Sequence, residues 1–583
     1  MPPDASSPAE RSDAAPQAKQ PWRRSPLAVM LLGGVLVWLS QPGTARMFGL
    51  ENLPWGLLGW AAAAPWIALV LRPEPLSRWG CVQVWLGGVA YWLLLLYWIC
   101  YPHPLTPIGW PLLAGYLGVY PLAFVLISRR VVHRGGAPVW VAAPIVWAAL
   151  EFVQAHLFTG FLMGALSHTQ ARLPLVIQIS DTAGAYGVSF VLMMSAACVA
   201  VLLDRNSHQQ RRVAAAATTA ATALAVLYYG FVRINDDTAT RPGPSVALIQ
   251  GDTRATWDPS EGRDQRILDA QLRVTRQAAK AAGEAGRPVD LFIWPESMFR
   301  APVVTLANRP TPTTELPELY QRFGRAAEEW FGGLAAEQGA AFLLGVDRFD
   351  LTKSDTAETG YDQTIYNTAA LVDHEGHATA FYDKTHRVPF GEYIPFAENM
   401  PGLYFLTPMS GGLGEGAGPV SMPLETSIGP VLLAPNICYE TVIPHVIRRQ
   451  VAELTAAGKA PDLLVNITND AWFWGASELD LHLACGQFRA VENRTPMVIA
   501  ANTGLSAVVD SSGRVRNLTR RMQEDFIVAA PALDGRSSFY SRHGDWFALG
   551  CLAGTVVLLL LSCSKGDGGM GKAASTAEAR QQE

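Results

Sequence analysis

Eight apolar stretches, at about 26–41, 53–71, 80–101, 106–128, 138–154, 184–203, 213–232 and 546–562, bracket a far more polar region at 233–545. Each is near the ~20 residues a helix needs to cross a bilayer, the first being short. A chain with this pattern must fold in two solvents. Its apolar stretches have to satisfy their own backbone groups as helices in lipid, while the region between the last two folds in water. Composition agrees. Half of the residues are hydrophobic and 16% are charged, against roughly a quarter charged in a soluble domain, and the mean hydropathy is positive.

The loops indicate orientation. Basic residues sit in the N-terminal tail (Arg11, Lys19, Arg23, Arg24) and then in alternate loops: Arg72 and Arg78; Arg129, Arg130 and Arg134; Arg205, Arg211 and Arg212. They return after the last stretch at Lys565, Lys572 and Arg580, whereas the intervening loops hold only Arg46, Arg172 and Arg233. By the positive-inside rule both termini are cytoplasmic and an odd number of spans places 233–545 outside. A weak stretch that is only a buried or interfacial helix would reverse that domain. The expected organisation is therefore a disordered cytoplasmic tail at 1–25, seven transmembrane helices at 26–232, an extracytoplasmic domain at 233–545, a last transmembrane helix at 546–562 and a disordered tail at 563–583. Both tails lack the apolar content to fold. Arg23-Arg24 before an apolar run suggests an export signal, but no small-residue cleavage pattern follows directly, so a retained first helix is expected.

A net charge of −5 and the lack of a basic patch interleaved with aromatics give no reason to expect nucleic acid as a partner. Of seven cysteines, five lie in or beside apolar stretches and two, Cys438 and Cys485, in the domain. No CxxC or Cys/His cluster has metal-ligand spacing, and neither metal nor cofactor is expected. An oxidising compartment permits a Cys438–Cys485 disulfide. Against it, Cys485 lies in a helical-looking run, LHLACGQFRAVEN, where a small buried thiol is the expected reading.

Within 233–545, β-rich runs (SVALIQGD, DLFIWPES, AAFLLGVDR, TIYNTAALVD, ATAFYDK, VLLAPNICYE, DLLVNITND, TPMVIAANTGLSAVVD) alternate with amphipathic helices, including 261–283 and 440–457. Continuous apolar strands followed by helices predict an α/β layered domain whose sheets are covered by helices. Three chemically capable residues fall at strand ends: Glu296, Lys384 and Cys438. A thiolate can attack a carbonyl, and the start of a helix at Tyr439-Glu440 would lower its pKa. Glu296, after Trp294-Pro295, would be desolvated toward the pKa of a useful base. Lys384, with the Tyr439 N–H, could stabilise an oxyanion. Singly, each has a plainer reading: inert packing for the Cys, a cap or salt bridge for the Glu, a solvated Lys.

Together, WPES, DKTHRVPFGEY and NICYE in this order resemble the catalytic triad of the nitrilase superfamily. With the flanking apolar stretches the chain resembles the apolipoprotein N-acyltransferases, over about 26–562. WAALEFVQAHLFTGF and YWICYPH are similar to signatures of that family's membrane part, and IQGDTRATWDP and ENRTPMVIAANTGLSAVVDSSG to its opening strand and closing strand pair. The resemblance implies an αββα sandwich inserted between transmembrane helices of a multi-pass bacterial inner-membrane protein, with the catalytic domain periplasmic and a monomer expected. It implies transfer of a fatty acyl chain from a glycerophospholipid, through a thioester on Cys438, to the α-amino group of a diacylglyceryl-cysteine on an apolipoprotein. Glu296 would be the base, Lys384 its support and oxyanion partner, and Glu392 the group that holds Lys384. Trp257, Asn367, Tyr439 and Glu440 match further pocket positions, although Trp257 can be read as packing, Asn367 as a turn or strand-end residue and Glu440 as a helix N-terminal acid favoured by the dipole. His386 and His482 read as structural, and SGGLGEGAGP at 410–419 as a flexible loop near the entrance.

The chain departs from the family pattern in places. Phe152-Val153-Gln154 follow Glu151 where an Arg is usual, TGFPW reads Thr159-Gly160-Phe161-Leu162-Met163, and NDAWFWGASELDLH carries an extra Trp474 and no proline before His482. These changes bear on substrate preference more than on reaction type. A membrane-anchored amidase using water as acceptor, and a non-catalytic transporter with a binding module, are the rival readings.

Overall fold

The computed structural model describes residues 25–579 except 51–52, 257–259, 396, 398, 401 and 403–411, and describes side chains up to Ser564, that of Met47 aside. Trp257, the tail at 1–24 and most of the loop before the glycine-rich run therefore lie outside the described residues.

All eight apolar stretches are helical. Among the described residues, five helices are long and apolar enough to cross a membrane: Thr106–His133, Val139–His156, Ser180–Leu203, Gln209–Ile234 and Trp546–Ser564. Pro26–Ser40 and Trp55–Leu71 are apolar but shorter, the latter beginning as a 3₁₀ turn, and Arg78–Leu95 is an 18-residue helix. The last helix does not stop where the apolar run stops. It continues to Ala579, so the expectation of a disordered tail from 563 is corrected over that length. The stretch 573–579, rich in alanine, has the propensity to prolong a helix already nucleated in the apolar run.

Ser180–Leu203 is the centre of the bundle, with 72% of its apolar window buried, against 17% for Gln209–Ile234 and 22% for Trp546–Ser564. Gly184, at φ +65°, kinks it where a Cβ would fall 2.7 Å from the Tyr540 ring, so only glycine lets the chain before the last helix pack there.

The described part of the polar region folds into two large sheets and a two-stranded pairing of Thr240–Arg241 with Leu533–Asp534. One carries, in spatial order, Asp525–Ala529, Val246–Gln250, Leu291–Ile293, Ala341–Lys353, Tyr361–Val372 and Ala378–Asp383, with Phe299–Leu306 also paired to Ala341–Lys353. The other carries Val515–Leu518, Ala507–Val509, Met497–Ala501, Leu463–Thr468, Val431–Ile437 and Met422–Leu424. Alternation along each strand sets the layers. Val246, Leu248, Ile293 and Leu343 face Leu433, Ile437, Val465 and Val498 in the interior between the sheets. Ala247, Ile249, Phe292 and Phe342 face outward onto helices Arg263–Glu284 and Glu318–Gln338. On the second sheet Ala434, Leu464 and Ile499 face outward onto Pro444–Ala456 and Glu478–Asn493. The result is helix, sheet, sheet, helix, as expected for strands buried on both faces.

Helix Glu478–Asn493 joins the two solvents. Nearly all of its residues are buried, because Ala490 packs on the sheet while Leu481, Ala484, Cys485, Phe488 and Val491 enter the core of the membrane bundle. Cys485 is thus a packing residue, and both domain cysteines are free thiols. The helix ends at Arg494, in the left-handed conformation, whose guanidinium donates from Nε and Nη2 to Asp181 Oδ2 at 2.8 and 2.6 Å and from Nη1 to Gln178 Oε1 at 2.8 Å.

Candidate active site

Strand ends from both sheets supply the candidate residues. Leu291–Ile293 leads through Trp294-Pro295 to Glu296, and the turn closes with Ser297 at φ +55°. Gly345 on the neighbouring strand makes room for it: a Cβ there would lie 2.3 Å from the Pro295 carbonyl and 2.6 Å from the Glu296 Cα. Ala378–Asp383 delivers Lys384, and Val431–Ile437 delivers Cys438.

Glu296 and Lys384 are buried and fully committed. Glu296 Oε1 accepts from Asn367 Nδ2 at 2.7 Å and Lys384 Nζ at 3.5 Å, and its Oε2 accepts from the Asn469 backbone N–H at 2.9 Å. Lys384 Nζ is nearer to Glu392 Oε1, at 2.7 Å, and Glu392 Oε2 accepts from the Val388 N–H at 2.8 Å. Asn367 spans both carboxylates, its Nδ2 also lying 3.4 Å from Glu392 Oε1, and its backbone carbonyl accepts from the Lys384 N–H. It is therefore a bridge between acids, placed mid-strand in Tyr361–Val372, and not a strand-end residue.

The electrostatics follow from this packing. Burial alone would push the Lys384 ammonium down, but the Glu392 and Glu296 carboxylates outweigh it and hold the amine above its ordinary value. Burial pushes Glu296 up, with Lys384 pulling the other way and Glu392 adding to the rise. Cys438 departs from expectation. It begins a five-residue 3₁₀ turn, Cys438–Val442, and not an α-helix, so the dipole expected to acidify it is weak. Burial, and then the Glu296 carboxylate, hold its thiol well above the ordinary value, with Lys384 offsetting part of the rise. The Cys438 thiol and the Glu296 carboxyl beside it are thus both raised.

Cys438 has φ +52°, a left-handed conformation that is uncommon for a residue with a Cβ. Glu440 holds this elbow. Its Oε2 accepts from the Ile437 N–H at 2.7 Å, and its Oε1 from the Thr385 and His386 N–H groups at 2.8 and 3.0 Å and from the Thr385 hydroxyl at 2.7 Å. Tyr382 OH donates to it at 2.9 Å. Glu440 is thus both an acid in the first turn of the 3₁₀ segment and a buried staple between the Cys438 turn and the Lys384 loop.

Two further side chains, His482 and Asp470, grip the same elbow; the sequence marks the first only as structural and the second not at all. His482 Nε2 donates to the Cys438 carbonyl at 3.1 Å while its Nδ1 lies 3.3 Å from Asp470 Oδ1, which also accepts from the Thr468 hydroxyl at 2.7 Å. Burial lowers the imidazole but the Asp470 carboxylate outweighs it, so the ring is raised, and both of its nitrogens face oxygen acceptors. Glu478 lies beside them; burial, then the charges of Asp470 and Asp480, push its carboxyl well above the ordinary carboxylate range. Asp470, Glu478 and His482 also have metal-ligand chemistry, with ligand atoms within 4.8 Å of one another, although the hydrogen bonds already account for His482 and Asp470. The available sequence signal is the His four residues after Glu478 on one helix face, but only the fold brings Asp470 to it.

The membrane part meets the site at two of its motifs. Tyr439 OH donates to the Gly160 carbonyl at 2.9 Å, in the Thr159-Gly160-Phe161 turn, and the Tyr439 ring stacks against that of His386. From the YWICYPH run, Trp98 packs edge-on against Phe473, and Tyr101 stacks on Trp474 at 5.6 Å and 12°. Trp474, 66% exposed and at φ +49°, is the extra tryptophan noted in the sequence. The glycine-rich run is tied down over its described part: Gly414 N–H donates to Ile365 O and Gly416 N–H to Lys384 O, at 2.7 and 2.9 Å. That corrects the expectation of a flexible loop for 412–419.

Known proteins align with both halves of this architecture. The model of the apolipoprotein N-acyltransferase N-terminal domain matches residues 20–198 and that of carbon-nitrogen hydrolase matches residues 245–538. The apolipoprotein N-acyltransferase of Geobacter metallireducens is 32% identical over 550 residues, covering 91% of this chain and 94% of that protein. That of Rhodopirellula baltica is 29% identical over 554 residues, covering 88% and 92%. Among solved structures, the amidase of Nesterenkonia sp. AN1 is 19% identical and covers 52% of this chain and 99% of its own, with a TM-score of 0.33. Nit3 of Saccharomyces cerevisiae, a member of the nitrilase superfamily, is 17% identical over 52% of this chain and 94% of its own, with a TM-score of 0.34.

Proposed function

Because the chain belongs to the apolipoprotein N-acyltransferase family, we propose that Cys438, Glu296 and Lys384 carry its reaction as nucleophile, base and oxyanion-stabilising cation. The protein is a membrane-associated acyltransferase that acts in lipoprotein maturation by N-acylation. Water as the acceptor is not favoured, since the relatives match the membrane part as well as the hydrolase-like domain.

The proposed reaction has two halves. Glu296 takes the Cys438 proton, and the thiolate attacks the ester carbonyl of a glycerophospholipid. The oxyanion is met by the Lys384 ammonium and the Tyr439 N–H. Collapse breaks the ester C–O bond, Glu296 returns the proton to the leaving lysophospholipid hydroxyl, and a thioester remains. The neutral α-amine of a diacylglyceryl-cysteine then attacks the thioester, Glu296 accepts its proton, and collapse expels the Cys438 sulfur, which regains that proton as the amide forms. Covalent storage of the acyl group lets two lipids use one site in turn.

The observation that carries this reading is the Lys384 ammonium held between two carboxylates, of which Glu296 is aimed by Asn367 and the Asn469 N–H toward a strained cysteine elbow. The contact of Tyr439 with the Gly160 turn supports a site that opens beside the membrane part, and the alternating basic loops support a multi-pass inner-membrane protein with its catalytic domain periplasmic. Glu440 fixes the elbow in this reading, and Trp257 is a further substrate-binding residue by resemblance alone. Intact-mass measurement tests it. Phospholipid alone should add one fatty-acyl mass, labile to hydroxylamine, and a diacylated lipopeptide with a free α-amine should discharge it while its N-acetylated form should not. An adduct that persists in Cys438→Ala would overturn the nucleophile; discharge to water as fast as to lipopeptide would overturn the acceptor.

A further inference from the structure

Away from the catalytic residues, a polar crevice of about 200 Å³ opens where three apolar helices end on the side of the catalytic domain. Its walls include Asp181 at the start of Ser180–Leu203, Arg233 at the end of Gln209–Ile234, and Ser537, Phe539, Arg542 and His543 just before the last helix.

The crevice carries unspent positive charge. Asp181 is shared by two guanidiniums, Arg494 at 2.6 Å and Arg233 at 2.9 Å, and also accepts from Tyr229 OH at 2.7 Å. Arg536 is matched by Asp534 at 2.7 Å, and Asp236 lies 3.6 Å from Arg233. Arg542 is exposed and makes no ion pair among the described residues. Four guanidiniums therefore answer to three carboxylates, and the one left over faces solvent beside the exposed Ser537 and the His543 ring, which stacks on Phe539 at 4.0 Å.

The surroundings are those of a membrane–water boundary. Tyr228, Phe231, Phe539 and Trp546 are 71%, 60%, 46% and 44% exposed, as in the aromatic belts at which spanning helices leave lipid. Below them, Gln209–Ile234 and Trp546–Ser564 both pack on Ser180–Leu203 and are the least covered of the long apolar helices. Cationic donors at the boundary above bare apolar walls are complementary to a phosphate with acyl chains.

We propose that this crevice binds the headgroup of an anionic phospholipid, held beside Arg542 and Arg233 with its chains along the last two helices, as a resident lipid distinct from the acyl donor. Phosphatidylglycerol and phosphatidylethanolamine share the phosphodiester, and only the former brings a net negative charge to the surplus guanidinium.

Native mass spectrometry of the full chain in detergent tests this without requiring turnover. Wild-type protein should retain phosphatidylglycerol in preference to phosphatidylethanolamine. Arg542→Gln should weaken retention about fivefold, the scale for one surface cation against an anionic lipid, and Arg542→Lys should largely restore it. Arg542 is exposed, so the variant should fold, and its acylation of Cys438 by phospholipid should match wild type. Equal retention by wild type and Arg542→Gln, equal retention of the two lipids, or displacement of phosphatidylglycerol by millimolar inorganic phosphate would each overturn the proposal. Loss of Cys438 acylation in a folded Arg542→Gln protein would also overturn it, by making the crevice part of the donor's route.

Discussion

Glu296 and Glu392 are both within reach of Lys384, yet their surroundings assign them different work. Glu296 has Oε1 on Asn367 and Oε2 on the Asn469 N–H and lies beside the Cys438 thiol, whereas Glu392 is turned to the amine and the Val388 N–H. Glu296→Gln is expected to reduce acylation by about 10³-fold, the scale for removing a general base, and Glu392→Gln to slow it while leaving activity. Equal, wild-type-like rates in single-turnover acylation would contradict both roles. The pH profile separates them further. Because the Glu296 carboxyl is raised, the base form is present above that raised pKa and lost as pH falls through it, so the acid limb should lie above the ordinary carboxylate range. Glu392 contributes to that rise, so the limb should move to lower pH in Glu392→Gln. A limb that stays in place or moves up would count against the assignment. His482 tests a second layer: its donation to the Cys438 carbonyl is a positioning contact, not a chemical one. In His482→Ala both acylation and iodoacetamide capture of Cys438 should slow by about tenfold, from loss of a charged buried hydrogen bond, with little change in the KM for phospholipid. A change in KM alone would show that the ring shapes the lipid pocket instead.

Secondary-structure elements differ in how well the chain announces them. Strands such as VALIQ and LLVNIT are continuous apolar runs, and every residue in them is buried, so period and burial agree. Phe299–Leu306, Glu318–Gln338, Val515–Leu518 and Asp525–Ala529 are not legible in the same way, because their text is mixed and Phe299–Leu306 and Asp525–Ala529 are paired by distant partners. Helix Glu478–Asn493 reads as a helix, but burial on all sides belongs to its position between sheet and bundle. Its end is fastened by Arg494, fully buried with Asp181. Arg494→Met should therefore remove a buried pairing worth about 3 kcal/mol, at the low end for a broken buried ion pair because Asp181 keeps Arg233. Thermal unfolding of the purified protein in detergent reads this as a lower midpoint, and an unchanged midpoint would mean that Arg494 is not part of what joins domain to bundle.

At the scale of the whole molecule the question is which way the sandwich faces. Alternating basic loops and eight helical segments place residues 233–545 outside the cytoplasm in the proposed topology. A reporter fused after Arg233 should be active only in an extracytoplasmic compartment, and one fused after Lys565 only in the cytoplasm. The reverse pattern would remove one span from the count and with it the route by which an exported lipoprotein reaches Cys438. The seating of the sandwich on the bundle, through Glu478–Asn493, Tyr439 on Gly160 and Trp474 on Tyr101, places the Cys438 elbow next to the membrane part.

Local text carried what depends on one segment at a time: apolar length and loop charge for the helices, continuous β-rich runs for the layered domain, and the family-like phrases around Glu296, Lys384, Glu392 and Cys438. What lay beyond it depends on pairs of residues far apart in the chain. The Asn367 bridge, the Glu440 staple, the Asp470–His482 grip and the raised Cys438 thiol each arise from burial and from partners supplied by other strands, and neither burial nor partnership is written into a single segment. Electrostatic character at this site was decided by desolvation at Glu296 and Cys438 and by neighbouring carboxylates at Lys384 and His482, and both exist only once the chain has closed around the groups.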